Sequence, residues 1–185
     1  MSRWCWVFLG LVVCAGCGRS RGEASDAMAV DLEMMAFLSA ARAFHHEANV
    51  HEASGDVPGA IGALERLVRF PRPHPETQVV EIDEVMADVR ARLAELRLRS
   101  RDLAGASADI EAGLVYAPHR TYFRGLLLQV DGTIEERRFY LLADAGLRDE
   151  AEKAKARALE RSEEAVSIHE DVIRRSLGLE GGQGR

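Results

Sequence analysis

The chain has few cysteines and no excess of basic residues, and both shortages exclude classes of function. Its 185 residues include 3 cysteines, all in the first seventeen positions, so no disulfide framework or thiolate metal site is available downstream. Acidic residues outnumber Lys and Arg by 30 to 24, giving a formal net charge of -6. Because nucleic-acid recognition normally requires a basic surplus, we expect no binding of DNA or RNA.

Sequence patterns typical of enzymes are missing as well. The chain contains no nucleophile-elbow motif, no glycine-rich phosphate loop after a strand, and no His-Glu-x-x-His or Glu-x-x-His spacing. We therefore predict that the protein is not an enzyme and that it has no catalytic residues and no cofactor. Prolines and aromatic residues are also few, at 5 residues and 6% respectively. Few prolines leave long segments free to form helices.

The first seventeen residues do carry a clear signal. Arg3 precedes an apolar run from Trp4 to Val13, which is too short to span a bilayer as a mature helix, and small residues precede Cys17. This arrangement resembles the signal peptide of a bacterial lipoprotein, although Cys14 stands where that family usually has Leu. The resemblance implies cleavage after residue 16 and a lipid anchor on Cys17. An ordinary secretory signal or a buried N-terminal helix is the alternative.

Cleavage there leaves 185 − 16 = 169 residues, enough for one domain, with a formal charge of 23 − 30 = −7 once Arg3 is removed. By resemblance, Gly18 after the lipidated cysteine, with no Asp there, implies sorting to the outer membrane, facing the periplasm. Cys17 is then the only mature cysteine. We expect residues 17–28, which are rich in Gly, Ser and charge, to be a flexible tether between anchor and domain.

Beyond this tether, apolar residues recur at helical spacing. Gly55–Asp56 predicts a helix break, Pro58 the first turn of a second helix, and the prolines at 71, 73 and 75 its end. The same cycle follows, with a stripe from Val79 to Leu96, a break at Arg101–Asp102 and a helix from Leu103 to Tyr116. The first stripe runs to about position 53 and consists of Val30, Met34, Phe37, Ala41, Phe44 and Ala48.

The segment 122–137 admits two interpretations. Asp131–Gly132 predicts a break, after which Thr133 and Glu136 form a capping box for a helix that ends near Gly146. Asp-Gly between two apolar stretches is also a β-hairpin signal. The helical interpretation is preferred because the surrounding chain is helical.

These patterns together predict an all-α fold of antiparallel α-hairpins with a long C-terminal helix from about Arg148 to Leu177. The helical domain is expected over residues 29–178, after the signal peptide 1–16 and the tether, and before a disordered tail at 179–185. On the last helix, Leu159, Val166 and Ile173 are seven residues apart. We expect this stripe to cap the array, with pairing to a second helix as the alternative.

An internal repeat relates the hairpins. Ala60, Ala106 and Ala151 follow the three breaks and lie 46 and 45 residues apart, and Ala48 and Ala94 supply the opposing small side chains. Over about residues 37–162 these positions resemble the tetratricopeptide repeat. The period exceeds the family's roughly 34 residues, and most of the family's aromatic anchors are absent.

The resemblance implies a partner-binding groove on the first helix of each hairpin, with donors and acceptors that can hold a peptide. The partner expected is an envelope protein or a segment of one, bound by a scaffold or assembly factor. The groove positions are Arg42, His45, Asn49, Asp88, Arg92, Glu95, Arg99, Glu136, Arg137 and Tyr140.

A second hypothesis is a helical lipoprotein that binds a metal or small ligand through His45, Glu47 and His51. Glu47 and His51 are four residues apart and share a helix face, whereas His45 points about 120° away from His51. Partial burial of the two histidines with a hydrogen bond is therefore preferred, and no metal site is predicted.

Overall fold

The computed structural model describes residues 21–179, with side chains from Leu32 onward. Within this range every regular element is a helix and no strand occurs, which confirms the all-α prediction. The helices are α1 (Arg21–Ala53), α2 (Val57–Arg69), α3 (Val80–Arg99), α4 (Leu103–Tyr116), α5 (Tyr122–Asp144) and α6 (Arg148–Ser176). Cys17, the predicted signal peptide and residues 180–185 of the predicted tail lie outside the described residues.

The helices pack as three consecutive hairpins. The most extensive contacts join α1 to α2, α3 to α4, and α5 to α6, and each pair is connected by a turn of three residues. The hairpins associate through contacts of α2 with α3 and of both α3 and α4 with α5. As a result α3 lies between the first and the last hairpin.

All three hairpin turns have one backbone conformation. The second residue after the first helix has left-handed φ, at 77° for Gly55, 64° for Arg101 and 77° for Gly146. The next backbone N–H then bonds to the carbonyl five residues earlier, as from Asp102 to Arg97 at 2.9 Å. This hydrogen bond satisfies a carbonyl that the helix end leaves free. The repeat expected from the sequence is therefore present in the backbone of the turns.

The residue that begins each second helix differs between the turns. Asp56 and Asp102 are N-caps whose Oδ1 atoms accept hydrogen bonds from the backbone N–H of Gly59 and Gly105, both at 2.9 Å. Leu147 occupies the same place before α6 and makes no side-chain cap. The first two turns thus share both conformation and capping, whereas the third keeps only the conformation.

Small side chains lie where the paired helices cross. Ala60 and Ala106 are fully buried, Ala151 is 3% exposed, and Ala48 and Ala94 are fully buried on the opposing helices. Larger side chains at these points would separate the helix axes. The predicted burial of these five alanines is confirmed.

The break predicted at Asp131–Gly132 is wrong, because α5 runs through it without interruption. Thr133 is not a cap: its hydroxyl donates to the carbonyl of Gln129, one turn earlier in the same helix. The glycine serves packing. A Cβ at position 132 would lie 2.9 Å from Ser162 Oγ and 3.3 Å from the Ala158 carbonyl oxygen on α6. The β-hairpin interpretation of this segment is excluded.

Two further expectations change at the ends of the domain. Helix α1 includes residues 21–28, which were assigned to the tether, and Glu, Ala and Met in this stretch are good helix formers. On α6, the expected capping stripe Leu159, Val166 and Ile173 is exposed, because other residues of the helix face α5. The buried residues of α6 are Ala151, Ala154, Ala165 and Ile168.

The described part of the chain contains no helix with the length and apolarity needed to cross a membrane.

The turn conformation gives a test with opposite signs at equivalent positions. Arg101→Gly should raise the free energy of unfolding by about 1 kcal/mol, because a non-glycine residue at positive φ is strained. Gly55→Ala should lower it by a similar amount, although the added Cβ meets no atom within 4 Å. Urea denaturation followed by circular dichroism measures both. Equal signs for the two variants would contradict the strain argument.

Candidate functional site

A groove with three adjoining cavities runs across the first helices of the hairpins, and we name it the inner groove. The first cavity, of about 390 Å³, lies among α1, α3 and α5. The second, of about 290 Å³, lies between α3 and α5, and the third, of about 390 Å³, between α5 and α6. All three include Thr133 in their lining. The cavities therefore form one continuous surface.

Half of the predicted partner-binding residues line these cavities. They belong to α3 and α5 and are Glu95, Arg99, Glu136, Arg137 and Tyr140. Three more, His45, Asn49 and Arg92, are joined to each other by hydrogen bonds at the α1 side of the groove. Asp88 lies beside this group, with its Oδ2 at 3.7 Å from His45 Nε2.

Arg42 is the predicted residue that stays apart. It is exposed on α1 and makes no hydrogen bond or ion pair with the described residues. The first helices thus do bring most of the predicted positions to one surface, as the repeat register implies. That surface is the candidate site for binding a partner.

Arg92 on α3 forms hydrogen bonds with side chains of α1. Its guanidinium donates to Asn49 Oδ1 at 2.5 Å, to Glu52 Oε1 at 2.5 Å and contacts His45 Nδ1 at 3.1 Å. Only 21% of its side chain is exposed. The arginine therefore joins α3 to α1 and is not a free donor for a peptide carboxylate. Its predicted role in partner binding stays a prediction, and in the free protein α1 supplies its acceptors.

Glu52 is the carboxylate to which the arginines of this cluster donate. It also accepts from Arg99, so two guanidinium groups neutralise one carboxylate. Burial acts in the opposite direction, but the hydrogen bonds from Arg92 and Arg99 hold the pKa of Glu52 below its usual value. For His45, burial is the main cause of a lowered pKa, and Arg92 adds to it while Asp88 opposes it.

Glu95 is a carboxylate of the groove that has no cationic partner within the described part of the chain. It makes no hydrogen bond or ion pair with the described residues. Loss of solvation is the main cause of a raised pKa at Glu95; Arg99 and Arg92 oppose the shift, and Glu52 and Asp88 add to it. Its side chain is exposed on α3, so an incoming cation can reach this unpaired anion.

The third cavity is apolar and aromatic in character. The rings of Phe139 and Tyr140 lie with centroids 5.1 Å apart, and Lys155 Nζ lies 6.0 Å from the Phe139 centroid. Tyr140 is 51% exposed and Leu159 is 57% exposed, so both present apolar surface to the groove. This end of the groove can accept an apolar side chain.

The geometry around His45, Glu47 and His51 disfavours the metal hypothesis. Glu47 forms an ion pair with Arg66, whose positive charge opposes a bound cation. His51 Nδ1 lies 2.8 Å from Asp56 Oδ2 at the hairpin turn, whereas His45 faces Arg92 and Asp88. Among the described residues no group of three or more His, Cys, Asp or Glu side chains is arranged to hold a metal ion.

Two buried carboxylates behind the groove were not predicted from the sequence. Asp109 on α4 is 4% exposed and bonds to Arg90 Nη1 at 2.5 Å and Arg97 Nε at 2.7 Å. Glu135 on α5 is 6% exposed and pairs with Arg157 Nε at 2.7 Å. The available signal was an acidic residue on an otherwise apolar helix face, one turn after Ala106 in the case of Asp109.

Arg92→Ala should lower the free energy of unfolding by about 2 kcal/mol, because it removes charge-assisted hydrogen bonds that join α1 to α3. Arg42→Ala is the matched control on α1 and should change stability by less than about 0.5 kcal/mol. Urea denaturation measures both variants. If the two substitutions cost the same, Arg92 does not join the helices.

Comparisons with known proteins return no match: no family model, no curated protein and no solved structure is similar to this chain. We therefore infer the function from the residues and geometry of the chain itself.

Proposed function

We propose that this protein is a lipid-anchored scaffold or assembly factor of the bacterial cell envelope, whose tetratricopeptide-like hairpins hold a segment of another envelope protein in the inner groove. The observation that carries this proposal is the row of three cavities that share Thr133. The surface lies on the first helices of the hairpins, where the resemblance implies a groove, and α6 lines its far end.

The chemistry of the groove supports binding of a protein segment. Its lining combines carboxylate, guanidinium, amide, hydroxyl and aromatic groups, which match the hydrogen-bonding and apolar groups of a peptide. Helices supply the lining, so the groups are held on a rigid frame and a ligand loses little energy in ordering them. Arrays of helical hairpins commonly use such an extended face for binding.

The location is proposed from the N-terminal pattern. A short apolar run before Ala15, Gly16 and Cys17 supports a lipid anchor, and Gly18 supports the outer membrane, with the domain facing the periplasm. The anchor would restrict the groove to partners near the membrane and raise their effective concentration.

A photoreactive amino acid in place of Thr133 tests the groove. In intact bacteria it should form discrete crosslinks to one or a few envelope proteins, since this position borders all three cavities. The same replacement at Ala108, which is exposed on α4, is the matched control and should form none of them. Mass spectrometry identifies the products, and identical products from both positions would reject the groove as the binding surface.

Two cysteine variants test the anchor. Cys17→Ser should abolish incorporation of radiolabelled palmitate and release the protein from the membrane fraction, because the acylated thiol is lost. Cys5→Ser removes a thiol twelve residues before Cys17 and should leave both labelling and membrane association unchanged. Retention of the Cys17 variant in membranes would overturn lipid anchoring without touching the groove proposal.

A further inference from the structure

The inner groove has a defined distribution of charge along its length. In the first cavity, Arg99 is paired with Glu52, which Arg92 also neutralises, while Glu95 has no such partner among the described residues. Gln129 presents an amide from α5 on the other side of this cavity. The cationic groups here are occupied, and the unpaired group is an anion.

The opposite end of the groove is suited to an apolar group. In the third cavity, Phe139 and Tyr140 line the α5 side, and Leu159 lines the α6 side. Leu159 is the counterpart of Leu114, 45 residues earlier, which is partly buried against Leu128 of the next hairpin. Since no hairpin follows α6 in the described chain, Leu159 keeps its apolar surface exposed.

The distance between the two ends fits a short extended peptide. Gln129 and Tyr140 are eleven residues apart on α5, which is roughly 16 Å at the helical rise. An extended chain advances about 3.3 Å per residue, so the first and fifth residues of a segment lie about 13 Å apart, and the reach of their side chains covers the rest of this distance. Side chains at the first and fifth of these residues point to the same side of the chain and both face the groove.

We infer that the inner groove binds an extended protein segment that places a Lys or Arg beside Glu95 and an apolar side chain, four residues away, in the cavity of Phe139, Tyr140 and Leu159. This inference rests on the proposed function and specifies its ligand. The basic side chain supplies the charge-assisted hydrogen bond that Glu95 lacks in the free protein. The apolar side chain covers surface that is exposed in the free protein.

The same observations disfavour a terminal carboxylate or an acidic side chain in the first cavity, whereas Arg137 in the second cavity is exposed and makes no hydrogen bond or ion pair with the described residues. Such a group would need a free guanidinium in the first cavity, but Arg92 is bound to α1 and Arg99 is bound to Glu52. An acidic ligand would also lie beside Glu95, and like charges in a partly desolvated groove repel.

Selection from a phage-displayed library of random dodecapeptides tests the inference, with the immobilised full-length chain in mild detergent as bait. The selected peptides should share a Lys or Arg and, four residues away, Phe, Trp or Leu. Synthetic copies labelled with a fluorophore then give dissociation constants by anisotropy. Glu95→Gln should weaken binding about tenfold or more, since a hydrogen bond to a charged group is lost.

Glu111→Gln on α4 is the matched control, because it removes the same charge from an exposed position outside the groove, and it should leave affinity unchanged. Replacing the basic residue of the peptide by Ala should weaken binding to the wild-type chain but cause no further loss with Glu95→Gln, which establishes a direct pair. Leu159→Ala should weaken binding of peptides that carry the apolar residue and leave those without it unchanged.

The possible negative results distinguish failure of this inference from failure of the proposed function. Selected peptides that lack a basic residue, or a basic residue whose loss is independent of Glu95, overturn this inference. If those peptides still compete with the Thr133 crosslinks, the proposed function stands with a different ligand. If no peptide is selected and Thr133 forms no crosslink, both proposals fail.

Discussion

The guanidinium of Arg97 is the interaction on which the arrangement of the hairpins depends. It donates to Asp109 on α4 at 2.7 Å, to Glu65 on α2 at 2.7 Å and to the N-cap Asp102 at 3.3 Å. One side chain therefore joins the second helices of two hairpins and the turn between α3 and α4. Removing it would leave Asp109 buried with Arg90 as its remaining partner, and an under-compensated buried charge is costly.

Ion pairs of this kind and a core of small and aliphatic side chains together stabilise the fold. Alanines allow close contact within each hairpin, and this explains how a chain with few aromatic residues builds a buried interior. Two arginines of α3 bond to the first hairpin: Arg97 donates to Glu65 of α2 and Arg92 donates to side chains of α1. Arg90 bonds within its own hairpin, to Asp109 of α4. At the α1 side of the groove the arginines are thus already paired, whereas Glu95 has no cationic partner among the described residues.

Much of the fold could be predicted from the sequence, because its signals are local. Gly55, Asp56 and Pro58 identify a turn and a helix start by their own backbone preferences, and the buried alanines follow from the repeat. The continuity of α5 could not be predicted, since Asp131–Gly132 is a valid break signal that contacts with α6 override. The contacts of Arg92 could not be predicted either, because its acceptors lie forty or more residues away in sequence and only packing brings them together.

The pairing of each helix with its neighbour in sequence also has a kinetic consequence. Contacts within a hairpin close loops of only three residues, so little chain entropy is lost before the alanine interface forms. Folds dominated by such local contacts cross their folding barrier quickly. A chain that emerges from a narrow channel with its N-terminus first can complete α1 and α2 before α5 and α6 have appeared, and each finished hairpin then serves as the template for the next.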